Sequence, residues 1–260
     1  MRRNDGSIIK GKKRSMRAKK GLAAAAACLT LLVGSAVPVL AAQATGPAAE
    51  SAWLESGCDV NELEAARDAT QLFVVIGNRE DPAKSTLSWY QRDEEGRFEE
   101  VLTTEAVSGM FGITQEKAEG DKKTPAGVYS FSMAFGLKEN PGTILPYHQI
   151  REGDYYVDDS RSRYYNQLVN TGEVSKDWNS AEDLMRQAPQ YNYALVIDYN
   201  PQDIPGKGSA IFLHCPKAAN NTGTSGCISV PEELMKEIAC QADEGSRIVI
   251  VQEERDLVNY

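Results

Sequence analysis

His214 closes an apolar, β-branched run, Ala210-Ile211-Phe212-Leu213, and Cys227 follows thirteen residues later behind Ser225-Gly226. A thiol of ordinary pKa, near ~8.5, is mostly protonated at neutral pH, so a nucleophilic cysteine needs a base or a field that favours the thiolate. Histidine is the usual base, and the chain has only two. Gly226 leaves room for a substrate to approach and opens backbone angles closed to other residues. After the cysteine, Ser229 and Glu232 read as an S-x-x-E capping box, with Pro231 in the first turn of a helix carrying Leu234, Met235 and Ile238. Cys227 is therefore expected just before a helix N-terminus, whose partial positive charge favours a thiolate. Other groups carry less. His148 lies in an Ile144-Leu145-Pro146-Tyr147-His148-Gln149 loop and reads as a surface or loop residue. Cys215 could join His214 and Cys227 around a metal, but the spacings of structural zinc sites are missing and no metal is expected. Gly206-Lys207-Gly208-Ser209 lacks the phosphate-loop frame and reads as a turn.

The elements that must hold these residues are mostly strands. Leu72–Gly77, Thr86–Gln91, Phe98–Val107, Gly127–Met133, Tyr193–Tyr199, Ala210–His214 and Arg247–Gln252 are rich in β-branched and aromatic residues, and Gly, Pro, Asn and Asp clusters separate them. Helices are few: Asp59–Ala69 capped by Asp59, Ala181–Gln187 capped by Asn179 or Ser180, and Pro231–Gln241. The pattern predicts a mainly β domain, a sandwich or open barrel. The long insertion 141–186 is rich in Tyr and Asp, and loops of that length often wall a functional groove.

The His214 to Cys227 arrangement resembles the signature of the L,D-transpeptidase catalytic domain family: a histidine, a spacer, then Ser/Thr-x-Gly-Cys and an aliphatic residue. Upstream, Gly120-Asp121-Lys122-Lys123-Thr124-Pro125-Ala126-Gly127 is similar to the family's G-x-x-x-T-P-x-G turn and strand. Asp154–Asp159 and Tyr164-Tyr165-Asn166 are similar to a segment of one extracellular bacterial branch. Two positions depart from the pattern, Ser225 where many members have His and Ser229 where many have Arg or Asn. The resemblance implies a β-sandwich-like domain over residues 70–252 and a cysteine enzyme acting on peptidoglycan stem peptides without a cofactor. It implies Cys227 as nucleophile, His214 as general base and the backbone carbonyl of Cys215 as the third member. Backbone N–H groups of Gly226 and Cys227 would hold the oxyanion. Substrate contacts are expected from Ser225, Ser229, Tyr156 and Tyr165, and from Asp158 and Asp159, which read either as amine ligands or as a solvated acidic loop. Hydrolysis by an L,D-carboxypeptidase and a non-catalytic wall-binding module of the same fold are the alternatives.

The chain begins with nine Lys/Arg and one acidic residue in its first twenty positions, then an apolar run from Gly21 to Ala42 ending Ala42-Gln43-Ala44. Residues 1–44 read as a secretory signal peptide, and, if uncleaved, as a membrane anchor. Residues 45–69 then form a linker and short helix, and 253–260 a C-terminal tail. Cys28 lies too early for a lipoprotein site. Removing those nine basic and one acidic residues from 28 Lys/Arg and 37 Asp/Glu leaves 19 against 36, a net charge of −17. Such a surface excludes nucleic acid as a partner. A secreted or wall-located monomer is expected. Its four cysteines, Cys58, Cys215, Cys227 and Cys240, are too sparse for a disulfide scaffold, and a Cys58–Cys240 bridge would leave Cys227 unbridged.

Overall fold

The computed structural model describes residues 58–217 and 222–260. The signal segment and residues 45–57 of the linker, Cys28 included, lie outside them. Strands β1 (Gln71–Gly77), β2 (Lys84–Arg92) and β3 (Phe98–Val107) form an antiparallel meander. In β1 the run Leu72–Val75 is buried on both faces. Side chains alternate along a strand, so Phe73 and Val75 enter one core with Leu87 and Trp89, while Leu72 and Val74 enter another on the opposite face. This is why β1 reads as a continuous apolar run.

The second core is closed by both ends of the described chain. Val60, Leu63, Ala66 and Ala69 pack there with Leu257, and Ala65 N–H donates to the Tyr260 carbonyl at 2.8 Å. The body therefore extends past 70–252 on both sides. Asp59–Ala69 is not one helix. It is two 3₁₀ turns, Val60–Glu62 and Glu64–Ala66, because Leu63 between them adopts an extended ψ of 141°. Asp59 caps the first through Asn61 N–H at 2.9 Å.

The remaining strands of the main sheet are β6 (Gly127–Tyr129), β7 (Phe131–Gly136), β8 (Tyr147–Gln149), β12 (Ala194–Ile197), β13 (Phe212–His214), β14 (Ile228–Ser229) and β15 (Arg247–Val251). With β1 to β3 they make a ten-stranded sheet in the order β6-β15-β1-β2-β3-β14-β13-β12-β7-β8. Only Ser130 separates β6 from β7, although they stand near opposite ends of that order. The sheet must therefore curl, and the fold is mainly β. The single strand expected at Gly127–Met133 is these two. The short strands β4 (Ile113–Thr114) and β5 (Thr124–Pro125) pair in parallel beside the sheet.

The one α-helix among the described residues, α1 (Glu232–Gln241), buries Met235, Ile238 and Ala239 in the main core. Its N-cap is Pro231, with no side-chain cap. The expected capping box does not form, because Ser229 is in β14 and the Glu232 carboxylate is taken by Lys138 and by Asn192 at 2.9 Å. Within the insertion, β9 (Asp154–Val157), β10 (Leu168–Asn170) and β11 (Ala181–Asp183) form a separate sheet, β10-β9-β11, over Val157, Val169 and Trp178. The helix expected at Ala181–Gln187 is replaced by β11 and a 3₁₀ turn, Leu184–Arg186. Pairing of Glu182 with Tyr156 across the β9–β11 ladder overrides the local helical preference.

Candidate active site

Strands β13 and β14 are parallel, with Leu213 level with Ile228 and His214 level with Ser229. Cys227, one residue before β14, is therefore level with Phe212. Residues i and i+2 share a strand face, so His214 and Cys227 project to the same side, one strand apart and two residues along. Both are buried, and both line one cavity of about 260 Å³.

Three segments prop the cysteine. Thr124, from the T-P-x-G turn, accepts the Gly109 N–H at 2.8 Å and donates its hydroxyl to the Cys227 carbonyl at 3.3 Å. Thr224 donates to the same carbonyl at 2.6 Å and accepts the Gly226 N–H at 3.1 Å. Gly226 has φ +140°, and a Cβ there would stand 2.9 Å from the Lys123 carbonyl, so only glycine fits. The two sequence motifs thus meet as one scaffold, and the Gly226 N–H expected for the oxyanion is already engaged.

The Cys227 thiol donates to the Ala210 carbonyl at 3.1 Å and accepts the Phe212 N–H at 3.4 Å. Burial pushes this thiol far above its ordinary range, and the charge of Glu182 pushes the same way, while the Phe212 N–H and the Lys117 ammonium oppose them. The depressed thiol pKa expected from the sequence is therefore not found. Cys227 lies five positions before the first residue of α1, and a helix end acts only within its first turn.

His214 is held by one nitrogen. Nδ1 lies 2.6 Å from the Cys215 carbonyl, which fixes the neutral tautomer with the proton on Nδ1. Nε2 is buried and accepts nothing among the described residues. Burial lowers the imidazole pKa to about 4, against the favourable Cys215 contact. The Tyr191 ring packs edge-on against it at 5.6 Å.

The cavity also exposes residues that the sequence did not single out: Glu182, Gln187, Gln190 and Lys217. Glu182 sits on β11 of the insertion and accepts the Tyr191 hydroxyl. Burial raises its carboxyl, the Tyr191 bond lowers it, and nearby Asp158 raises it further. The Lys117 side chain is only 3% exposed and pairs with Asp121 at 2.7 Å. No local pattern marks any of these, because only the pairing of β11 with β9 brings Glu182 here.

The expected substrate contacts separate. Ser225 is exposed and lines the cavity. Ser229 does not; it lines a different groove between β3 and β14 that includes Val107 and Pro231. Tyr156 is buried edge-on to Phe212 at 4.8 Å, and Tyr165 is buried with its hydroxyl on Glu119 and the Gly208 N–H. Asp159 accepts from Asn179 N–H at 2.8 Å and Arg161 N–H at 3.0 Å, and from both side chains, so its carboxylate holds a turn instead of facing substrate. Asp158 keeps a buried, unpartnered Oδ1. His148 pairs with Asp154, six residues on and in β9, at 2.7 Å. Among the described residues no disulfide joins Cys58 to Cys240, whose sulfur lies against the Pro141 carbonyl. No three His, Cys, Asp or Glu side chains there are grouped to hold a metal.

A parallel β-pair presenting a cysteine and a histidine to one cavity, propped by a T-P-x-G turn, defines a class. The L,D-transpeptidase catalytic domain family (YkuD) matches residues 79–250, and the chain belongs to it. That family acts on peptidoglycan stem peptides. No curated protein matches the sequence. Among solved structures, the chain is similar to the helical cell shape determining protein Pgp2 from Campylobacter jejuni, at 18% identity and a TM-score of 0.37, covering 71% of this chain and 49% of that one. It is similar to an L,D-transpeptidase (Yku) from Stackebrandtia nassauensis at 12% identity and a TM-score of 0.35, covering 76% and 63%. An Enterococcus faecium L,D-transpeptidase gives 17% identity and a TM-score of 0.32, covering 71% and 50%. The chain spans about half the length of the first and third of these, and at such scores the likenesses carry no functional weight.

Proposed function

We propose that this protein is an exported peptidoglycan L,D-transpeptidase working through a Cys227 thioester. One observation carries the reading: in a chain of this family, Cys227 and a neutral, singly anchored His214 face the same cavity. His214 Nε2 takes the thiol proton as Cys227 Sγ attacks the carbonyl carbon of an L-to-D peptide bond in a stem peptide. With the Gly226 N–H held by Thr224, the Cys227 N–H remains of the two expected donors to stabilise the oxyanion. The C–N bond then breaks, the imidazolium proton passes to the departing D-alanine amine, and a thioester remains. An amine of a second stem attacks it, gives its proton to His214, and the thiolate leaves and is reprotonated.

The protonated, hydrogen-bonded resting thiol favours a second reading, a binding module that keeps the fold without turnover. Mass analysis of the purified protein with tetrapeptide muropeptides separates the readings. A cross-linked product and a Cys227 acyl adduct are expected from a transpeptidase, free tripeptide from a carboxypeptidase. No adduct with either a stem or a carbapenem-type β-lactam overturns the enzyme reading. Export is checked by the N-terminus of the native protein, which should begin after Ala44.

A further inference from the structure

The cavity that holds Cys227 and His214 carries a mostly buried carboxylate, Glu182, on its insertion side. Glu182 enters from β11 with one oxygen bonded to the Tyr191 hydroxyl, and among the described residues its other oxygen accepts no hydrogen bond. No described Lys or Arg comes within ion-pair distance of it, although Lys217 lines the same cavity and its charge lowers the Glu182 carboxyl pKa. Behind it, Asp158 carries a buried Oδ1 without a partner. The buried Nε2 of His214, which does line the cavity, is also unpartnered. Buried acceptors left unsatisfied are costly, and an open carboxylate oxygen lining a cavity suits a donor that is yet to arrive. His214 Nε2 is kept for the thiol proton and Asp158 lies outside the cavity lining, so the open oxygen of Glu182 is the acceptor a ligand meets; a positively charged N–H donor such as a primary ammonium answers it.

Resting on the reading of this cavity as a stem-peptide site, we infer that Glu182, oriented by Tyr191, binds a primary ammonium group of the stem peptide beside Cys227. This replaces the Asp158–Asp159 pair as the amine ligand, since Asp159 is spent on its turn. The arrangement also couples binding to reactivity. Glu182 is one of the charges that hold the Cys227 thiol protonated, so an ammonium ion paired with it removes an obstacle to the thiolate. A stem lacking the amine leaves that obstacle in place. The ammonium can belong to the donor's diamino acid or to the acceptor amine, and the two act at different steps.

The test uses the full purified protein and Glu182→Gln, which keeps an acceptor for Tyr191 and removes the charge. D-alanine release is measured with a tetrapeptide donor whose side-chain amine is free and with the same donor acetylated there. Transfer is measured separately against rising concentrations of an acceptor with a free amine. In the parent, the free-amine donor should react about 10- to 100-fold faster than the acetylated one, the range a charge-assisted hydrogen bond supplies. In Glu182→Gln that ratio should fall to about one, and iodoacetamide should label Cys227 faster than in the parent. If the discrimination appears only in the acceptor dependence of transfer, the bound ammonium is the acceptor's. A ratio that persists at both steps, or equal loss on both donors with no change in labelling, overturns the inference. Should the parent form no acyl adduct at all, the proposed activity fails on its own. Calorimetric binding of the free and acetylated stems to Cys227→Ala, with and without Glu182→Gln, then decides the ammonium site independently.

Discussion

In the Asp159 turn, one carboxylate accepts four hydrogen bonds, from the N–H groups and side chains of Asn179 and Arg161. In the Cys227 cavity, Glu182 accepts one, His214 Nε2 accepts none, and the Cys227 thiol rests on a backbone carbonyl. Both regions depend on the same insertion and both are acidic. The first has its polar groups answered from within the chain, and those bonds hold the Asp159 carboxyl well below its ordinary range. The second leaves them open. The contrast separates a carboxylate used for folding from one available to a ligand, which residue type and exposure alone do not.

The comparison breaks most sharply at the cysteine. Cys227→Ala should abolish turnover while leaving the melting temperature near that of the parent, since a small side chain is exchanged for another; residual turnover of stems would remove the nucleophile from the argument. His214→Ala should lower kcat/KM by on the order of 10²–10⁴-fold if it moves the proton. His148→Ala, at a residue that does not line the cavity and is bonded to Asp154, should instead lower thermal stability and spare kcat/KM. The reverse pattern would exchange the two histidines' roles.

Protonation offers a third test. The unfolded chain binds a proton on His214 below about pH 6.5, the folded chain only below about 4. Between those values the unfolded state holds more protons, so stability falls as pH drops through that window and levels off beneath it. The loss is about 3 kcal/mol. Urea titrations should show it for the parent and not for His214→Gln; equal slopes would mean that His214 is not buried neutral. The smallest effect is expected at the satisfied carboxylate. Asp159→Asn should lower the melting temperature modestly and leave discrimination between free and acetylated donors intact. Lost discrimination there would return the amine site to Asp159.

What was legible in the sequence follows from what is local. The strand at Leu72–Gly77, the helix of Met235 and Ile238, the turn at Thr124-Pro125 and the glycine before Cys227 are each set by neighbours in the chain, through burial, period and backbone angle. They sufficed to pick out Cys227 and His214 and to suggest the family. The capping box at Ser229 and the helix at Ala181–Gln187 read just as plausibly and do not form, because β14 and β11 find partners distant in sequence. The same non-local pairing carries Glu182 to the cavity and buries Cys227 deeply enough to reverse the expected shift of its thiol. Sequence determined which groups have the chemistry. Desolvation and charge proximity are properties of the folded interior, so tertiary structure alone decided the state in which those groups rest.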